Sequence, residues 1–329
     1  MTYRWNVVVG LGAAGAAVVV WASNLTLLQR HTEPAKPWHD VWAQNNTYWA
    51  RDLRWTVLVA VVAGLVLAVG GDRWRSLGAV LAGCALVGVD LVADRSDLAG
   101  PLAAGLLSAA VCAVLLGAWL VTRTGTRPHP VPLILAASVA AATAPMAATI
   151  GSSAEVDPVA LAPAAFVTGM LLVVTAAAGG LAAAPRRSPN RIIVAGAAAV
   201  VTGSAVALRA FDTEPPTVVY VAAGCALLAG VGAVVCPWRP GMAVAAVTMV
   251  VGQLVLVLAV ALATIRWPLG PAFTRIAGNP AVNAADTDFL TAPVGVLSGL
   301  VLGVLLAAIS RSGRTAVAPP GATPEPAPV

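Results

Sequence analysis

Ten apolar stretches, each closed by charge, Pro or Gly, recur along the chain at approximately 5–28, 53–70, 77–93, 99–121, 131–151, 159–183, 192–210, 217–236, 242–265 and 290–310. A bilayer span takes roughly 20 such residues. Backbone amides in hydrocarbon must be paired within their own segment, and the period-two alternation of a membrane barrel is absent, so every stretch is predicted to be a helix. The fold class that follows is an all-α polytopic transmembrane bundle of about ten spans, one domain over residues 1–310. Most connections are short. The exceptions are an outer loop at 29–52 and another at 266–289. The tail, 311–329, is rich in Pro, has little to bury and is predicted to be disordered.

Composition narrows the class. Of 329 residues, 59% are hydrophobic and only 10% charged, whereas a soluble domain carries about a quarter charged residues. A soluble enzyme and a nucleic-acid-binding module are excluded, and the partner the composition requires is the lipid bilayer. Phosphate-binding glycine loops, nucleophile elbows and zinc-helix signatures do not occur, so no catalytic residue and no cofactor is expected. His31, Glu33, His39 and Asp40 fall close together in the first long loop. Their spacing matches no zinc-ligand pattern, and no metal is expected.

Sidedness of charge matters more than the net +5. With the N-terminus on side one, that side collects Arg4, Arg73, Arg75, Arg123, Arg127, Arg186, Arg187, Arg191, Arg239, Arg311 and Arg314. The other side holds Arg30, Lys36, Arg51, Arg54, Arg95, Arg209, Arg266 and Arg275. Basic residues accumulate in cytoplasmic loops, so both termini are expected in the cytoplasm and the protein in a plasma membrane. Acidic residues agree, since only Asp72 and Glu325 lie on the N-terminal side. Arg outnumbers Lys 18 to 1 in an Ala-rich chain, a usage that looks bacterial and GC-rich.

Within the first outer loop, Pro37 suits the first turn of a helix, and Trp38, Val41, Trp42, Trp49 and Leu53 fall on one arc at 100° per residue. Asp40, Gln44, Thr47, Arg51 and Arg54 occupy the opposite face. The spacing predicts a helix over 37–50 lying in the headgroup layer, with Trp38, Trp42 and Trp49 as interfacial anchors.

Asp90 is the one acidic residue placed inside a span, followed by Asp94 and Asp97 on the same helix face. A carboxylate in hydrocarbon usually faces a partner or a wet cavity. The three therefore define a candidate substrate or ion path at an acidic outer vestibule, with Arg209 as a possible counter-ion to Asp90. Gln253 is the deepest polar candidate for the same path. An amide at position 90, at the outer edge, is expected to remain solvated and to leave abundance unchanged.

Small residues recur every fourth position in the tenth span, at Gly295, Gly299 and Gly303, and in the seventh, at Ala195, Ala199 and Gly203. Such stripes let helix backbones approach closely. Packing within the bundle is one outcome, and a homodimer through the tenth span is the other.

Two functional readings remain open: a small permease or flippase with an acidic outer vestibule, and a non-catalytic scaffold or subunit of an envelope or export assembly that contacts other membrane proteins. Transport is favoured, because ten spans with short loops is a common plan among transporters. A reporter active only in the cytoplasm should give signal when fused after Arg187 and none after Asp157. Signal at Asp157 would invert the topology.

Overall fold

The computed structural model describes residues 2–31, 41–122, 128–150, 161–186, 188–208, 217–236, 239–267, 269–278 and 291–315. Among these residues every regular element is helical. The helices are α1 (Thr2–Ser23), α2 (Val41–Ala68), α3 (Arg73–Arg95), α4 (Pro101–Thr122), α5 (Pro130–Thr149), α6 (Ala162–Ala183), α7 (Pro189–Ala207), α8 (Thr217–Val235), α9 (Arg239–Arg266), α10 (Gly270–Ala277) and α11 (Thr291–Thr315). Nine of them are long and apolar enough to cross a membrane. The protein is thus a multi-pass helical membrane protein whose surroundings are lipid.

Each of the ten apolar stretches is matched by one of these helices, and α10 is an extra short helix in the second long loop. The match is least regular at α2. It is long enough to span, but Arg51, Asp52 and Arg54 lie in its first half. Instead of a separate surface helix over 37–50 followed by a span, the backbone runs unbroken from Val41 to Ala68. Trp38 lies outside the described residues. For Trp42 and Trp49 only the backbone is described, within α2.

Consecutive long helices run antiparallel, so one end of the bundle, here the proximal end, carries the start of α1 and the turns α2–α3 and α7–α6. The opposite, distal end gathers the end of α1, the starts of α2, α4 and α11, and the end of α3. Contacts fix this arrangement at both ends. Distally, the Gly100 N–H donates to Thr26 O at 3.0 Å. Proximally, the Arg191 guanidinium at the start of α7 donates to the carbonyls of Val234 and Cys236 (2.8 Å to the latter), which satisfies the free acceptors at the end of α8.

Helix α5 is the hub, packed against α2, α6, α8 and α11. Its alanines and those of α2 form much of the buried core. Small residues set the separation of its partners. A Cβ on Gly299 would lie 2.5 Å from Val139 Cα, and one on Gly295 would lie 2.5 Å from Thr143 Oγ1. The glycine face of α11 is therefore filled by α5 of the same chain. A second close crossing joins α1 to α2, where a Cβ on Gly10 would meet Gly64 O at 2.5 Å. At the α2–α3 turn Gly70 and Gly71 adopt left-handed φ of 64° and 73°. A Cβ on Gly71 would lie 2.4 Å from His129 O, so the turn sits directly on the start of α5.

The peripheral helices differ. Helix α4 packs mainly on α1, and α3 packs on α2, with α10 and the end of α1 touching it distally. The result is a bundle with a tight centre and one loosely flanked side.

Gly299→Leu should lower the thermal stability of the purified protein by about 3 kcal/mol or more, through overpacking against Val139. Gly196→Leu, where nothing lies within 4 Å, should leave it nearly unchanged. Equal effects would mean that α11 does not rest on α5.

Candidate functional site

The end of α1 is a π-helical turn, Asn24–Leu28, followed by a 3-10 turn at Gln29–His31. A regular α-helix would place Gln29 about 80° around the axis from Trp21, eight residues earlier. The wider π turn rotates less per residue and brings both over the same face. Both point at the same group of charges.

That group is an ion network formed where α1, α2 and α3 meet distally. Arg54, on α2, is completely buried, as is Asp90 on α3. The Arg54 Nε donates to Asp90 Oδ1 at 2.7 Å, and Nη2 donates to Asp90 Oδ2 at 3.3 Å and to Asp94 Oδ2 at 3.1 Å. Its Nη1 donates to Gln29 Oε1. Gln29 in turn donates from Nε2 to Asp94 Oδ1 at 2.8 Å. Two indoles complete the shell: Trp21 Nε1 donates to Asp90 Oδ1 at 2.9 Å, and Trp55 Nε1 to Asp90 Oδ2 at 3.1 Å. Arg51, also buried, lies 3.7 Å from Asp94 Oδ2.

Two guanidinium groups face two carboxylates, so the network is neutral. Asp90 accepts four hydrogen bonds, two on each oxygen, which uses its acceptor capacity in full. Burying such charges is costly unless they are paired and hydrogen-bonded. Here each member of the Arg54–Asp90 pair meets that condition. The arrangement binds α3 to α2 and α1. It leaves Asp90 no open position for a cation.

Asp52, one residue from Arg51, faces another way. Its Oδ2 accepts from Thr291 N and Thr291 Oγ1, both at 2.6 Å, and its Oδ1 from Ala292 N at 2.9 Å. A carboxylate on α2 thereby satisfies the first-turn donors of α11 and complements the positive end of its dipole.

Asp90 and Asp94 come together, facing inward to Arg54 rather than outward to water. Asp97 lies beyond the end of α3, exposed and at a left-handed φ of 47°. Arg209 lies outside the described residues, and the counter-ion to Asp90 is Arg54. Gln253 is buried on α9, a helix that packs on α8 and α11, with neither amide atom partnered among the described residues. An amide at position 90 would be buried, not solvated, which corrects the premise on which unchanged abundance was expected. Trp21, Gln29, Arg51, Arg54 and Trp55 are members of the network that were not among the sequence candidates. Arg54 had a visible signal, a charge at the mouth of a span, but it also fitted the polar face of a surface helix.

Below the network, toward the proximal end, lies a cavity of about 690 Å³ bounded by α2, α3, α5 and α11. Its wall is almost wholly aliphatic, and Trp55 forms its distal end. Leu77, Val80, Leu297 and Leu300 line it and remain 41% or more exposed, so it opens sideways between α3 and α11. Phe273 of α10 packs edge-on against Trp55 at 4.6 Å, while Arg95 Nη1 donates to Ile276 O at 3.3 Å. Helix α10 is thereby held over the distal end of the cleft.

Arg54→Met should cost about 3–5 kcal/mol, because it leaves Asp90 buried without its cation. Combining it with Asp90→Leu should restore much of that loss. Thermal melting of the purified variants checks both, and additive losses would show that the two side chains are not coupled.

No protein-family model matches this chain, and neither does any curated protein or solved structure.

Proposed function

We propose that the protein is a permease of the flippase type, handling an amphiphile whose hydrocarbon tail lies in the cleft between α3 and α11. The observation that carries this reading is the cleft itself: about 690 Å³, almost wholly aliphatic, and open sideways to the bilayer. The volume falls in the range of ligand pockets, about 300–1,000 Å³. A water-soluble solute would find almost no hydrogen-bonding partner there. A lipid tail would find only apolar contacts and could enter from the membrane without crossing water.

The ion network supports the reading as a hinge rather than as an ion path. It fixes the distal part of α3 to α2, while further along α3 the cleft separates this helix from α11. Trp55 belongs to both regions, donating to Asp90 and closing the cleft, so movement of the tail past Trp55 would be coupled to the network. Basic-residue asymmetry adds an orientation with both termini cytoplasmic in a plasma membrane.

The scaffold reading draws on a different observation. Helix α4 is largely bare, with Leu102 and Val121 exposed and most of its packing made to α1 alone. In a scaffold, that surface would be the contact with another membrane subunit.

Val80 lines the cleft and is 46% exposed, so a larger side chain there narrows the opening without entering the core. In liposomes carrying a head-labelled fluorescent lipid, wild type should raise the fraction of label reached by an aqueous quencher. Val80→Trp should slow that rate by at least about tenfold, a barrier change of roughly 1.4 kcal/mol. Exchange no faster than in protein-free vesicles would remove the flippase reading and leave the scaffold.

A further inference from the structure

We infer that the proximal end of the cleft is a headgroup site for an anionic lipid, one of whose chains lies along the cleft. This rests on the flippase reading for the identity of the occupant, but it does not require transport.

The first observation is Ser76. It lines the cleft, is 93% buried as judged from its 7% exposure, and its Oγ has no hydrogen-bond partner among the described residues. Serine and threonine in membrane helices usually return a bond to the carbonyl four residues back, as Thr143, Thr168 and Ser298 do here. Ser76 does not, and its hydroxyl is left at the edge of an apolar cavity. An unmet donor in that setting is costly, which points to a ligand atom that accepts.

The second observation is the charge next to it. Arg73 precedes Ser76 by three residues and Leu77 by four, so it shares the face of α3 that lines the cleft. Its Nη2 lies 2.7 Å from His129 Nε2, across the gap between α3 and the start of α5. Helix α5 opens Pro130-Val131-Pro132, and both prolines lack an N–H. Val131 N–H donates to His129 Nδ1 at 3.2 Å. The Arg73 guanidinium, held beside His129, keeps its other N–H donors at the lip of the cleft, which suits an acceptor with negative charge. The neighbouring carboxylate, Asp72, is directed to the Arg75 N–H at 3.2 Å and caps α3.

Depth agrees. Trp74 is 81% exposed, as expected of an indole in the interfacial belt. Ser76 lies two residues further in, about 3 Å along the axis. From Ser76 to Val87 the cleft follows α3 for about 16 Å. Half of a 30 Å hydrocarbon core is about 15 Å. One leaflet chain therefore fits between a headgroup on Arg73 and Ser76 and an end below Trp55.

Full-length protein exchanged in detergent against phosphatidylglycerol or phosphatidylcholine, then examined by native mass spectrometry, tests this. One phosphatidylglycerol should be retained, in preference to phosphatidylcholine. Arg73→Gln with Ser76→Ala should reduce retention by about tenfold at unchanged melting temperature, given the strength of charge-assisted hydrogen bonds. Val80→Trp should also reduce it. Excess inorganic phosphate should not displace the lipid, and displacement would overturn a lipid in favour of free phosphate. Equal retention of both lipids, or no loss in the double variant, would overturn the headgroup site even if lipid exchange in vesicles is normal. Selective retention without exchange would instead sustain the site and remove the flippase reading.

Discussion

A guanidinium cannot give up its charge, so the burial of Arg54 obliges the rest of the distal end to be built around it. Two carboxylates one helical turn apart on α3 supply the opposing charge, and Gln29 accepts from Nη1. Once Asp90 is committed to Arg54, its leftover lone pairs call for neutral donors, and the two indoles supply them without adding charge. The π turn of α1 belongs to the same requirement, since it brings Gln29 over Trp21. Such a network is weak evidence for net stability, because hydrophobic replacements often do as well. Its consequence is specificity. Helices α1, α2 and α3 have one register in which every charge is met.

The packing elsewhere is of a different kind. Lipid tails are as apolar as the helices, so helix association in the bilayer rests on close contact. The centre achieves this with glycine and alanine, at α5–α11 and α1–α2. Helix α3 has no glycine contact to α5 or α11, and its main anchorage besides α2 is polar and distal. A cavity between α3 and α11 follows from these two modes of attachment.

Much of the architecture was legible from hydropathy because desolvation of the backbone leaves few choices: a long apolar stretch in a membrane must be a helix. The small-residue face of α11 was legible for a similar reason, since its four-residue period is a local property. The α1–α2 crossing carries the same period, in Ala60, Gly64 and Ala68 with Gly10 and Ala14, but it was not singled out from the sequence. Asp90 stood out as a charge in a span, yet its partner is 36 residues away on α2, and pairing at that separation leaves no periodic mark. Arg51 and Arg54 misled because a polar helix face reads the same whether it meets water or two aspartates. The cleft had no signal, because Val80 or Leu300 looks alike against protein or against lipid.

The clasp between Asp52 and the first turn of α11 joins positions 239 residues apart. Synthesis proceeds from the N-terminus, so Asp52 enters the membrane long before Thr291 exists. Until α11 docks, this carboxylate lacks the three donors that it accepts from in the finished fold. The distal ends of α2 and α11 are therefore fixed together, and only once both helices are in place.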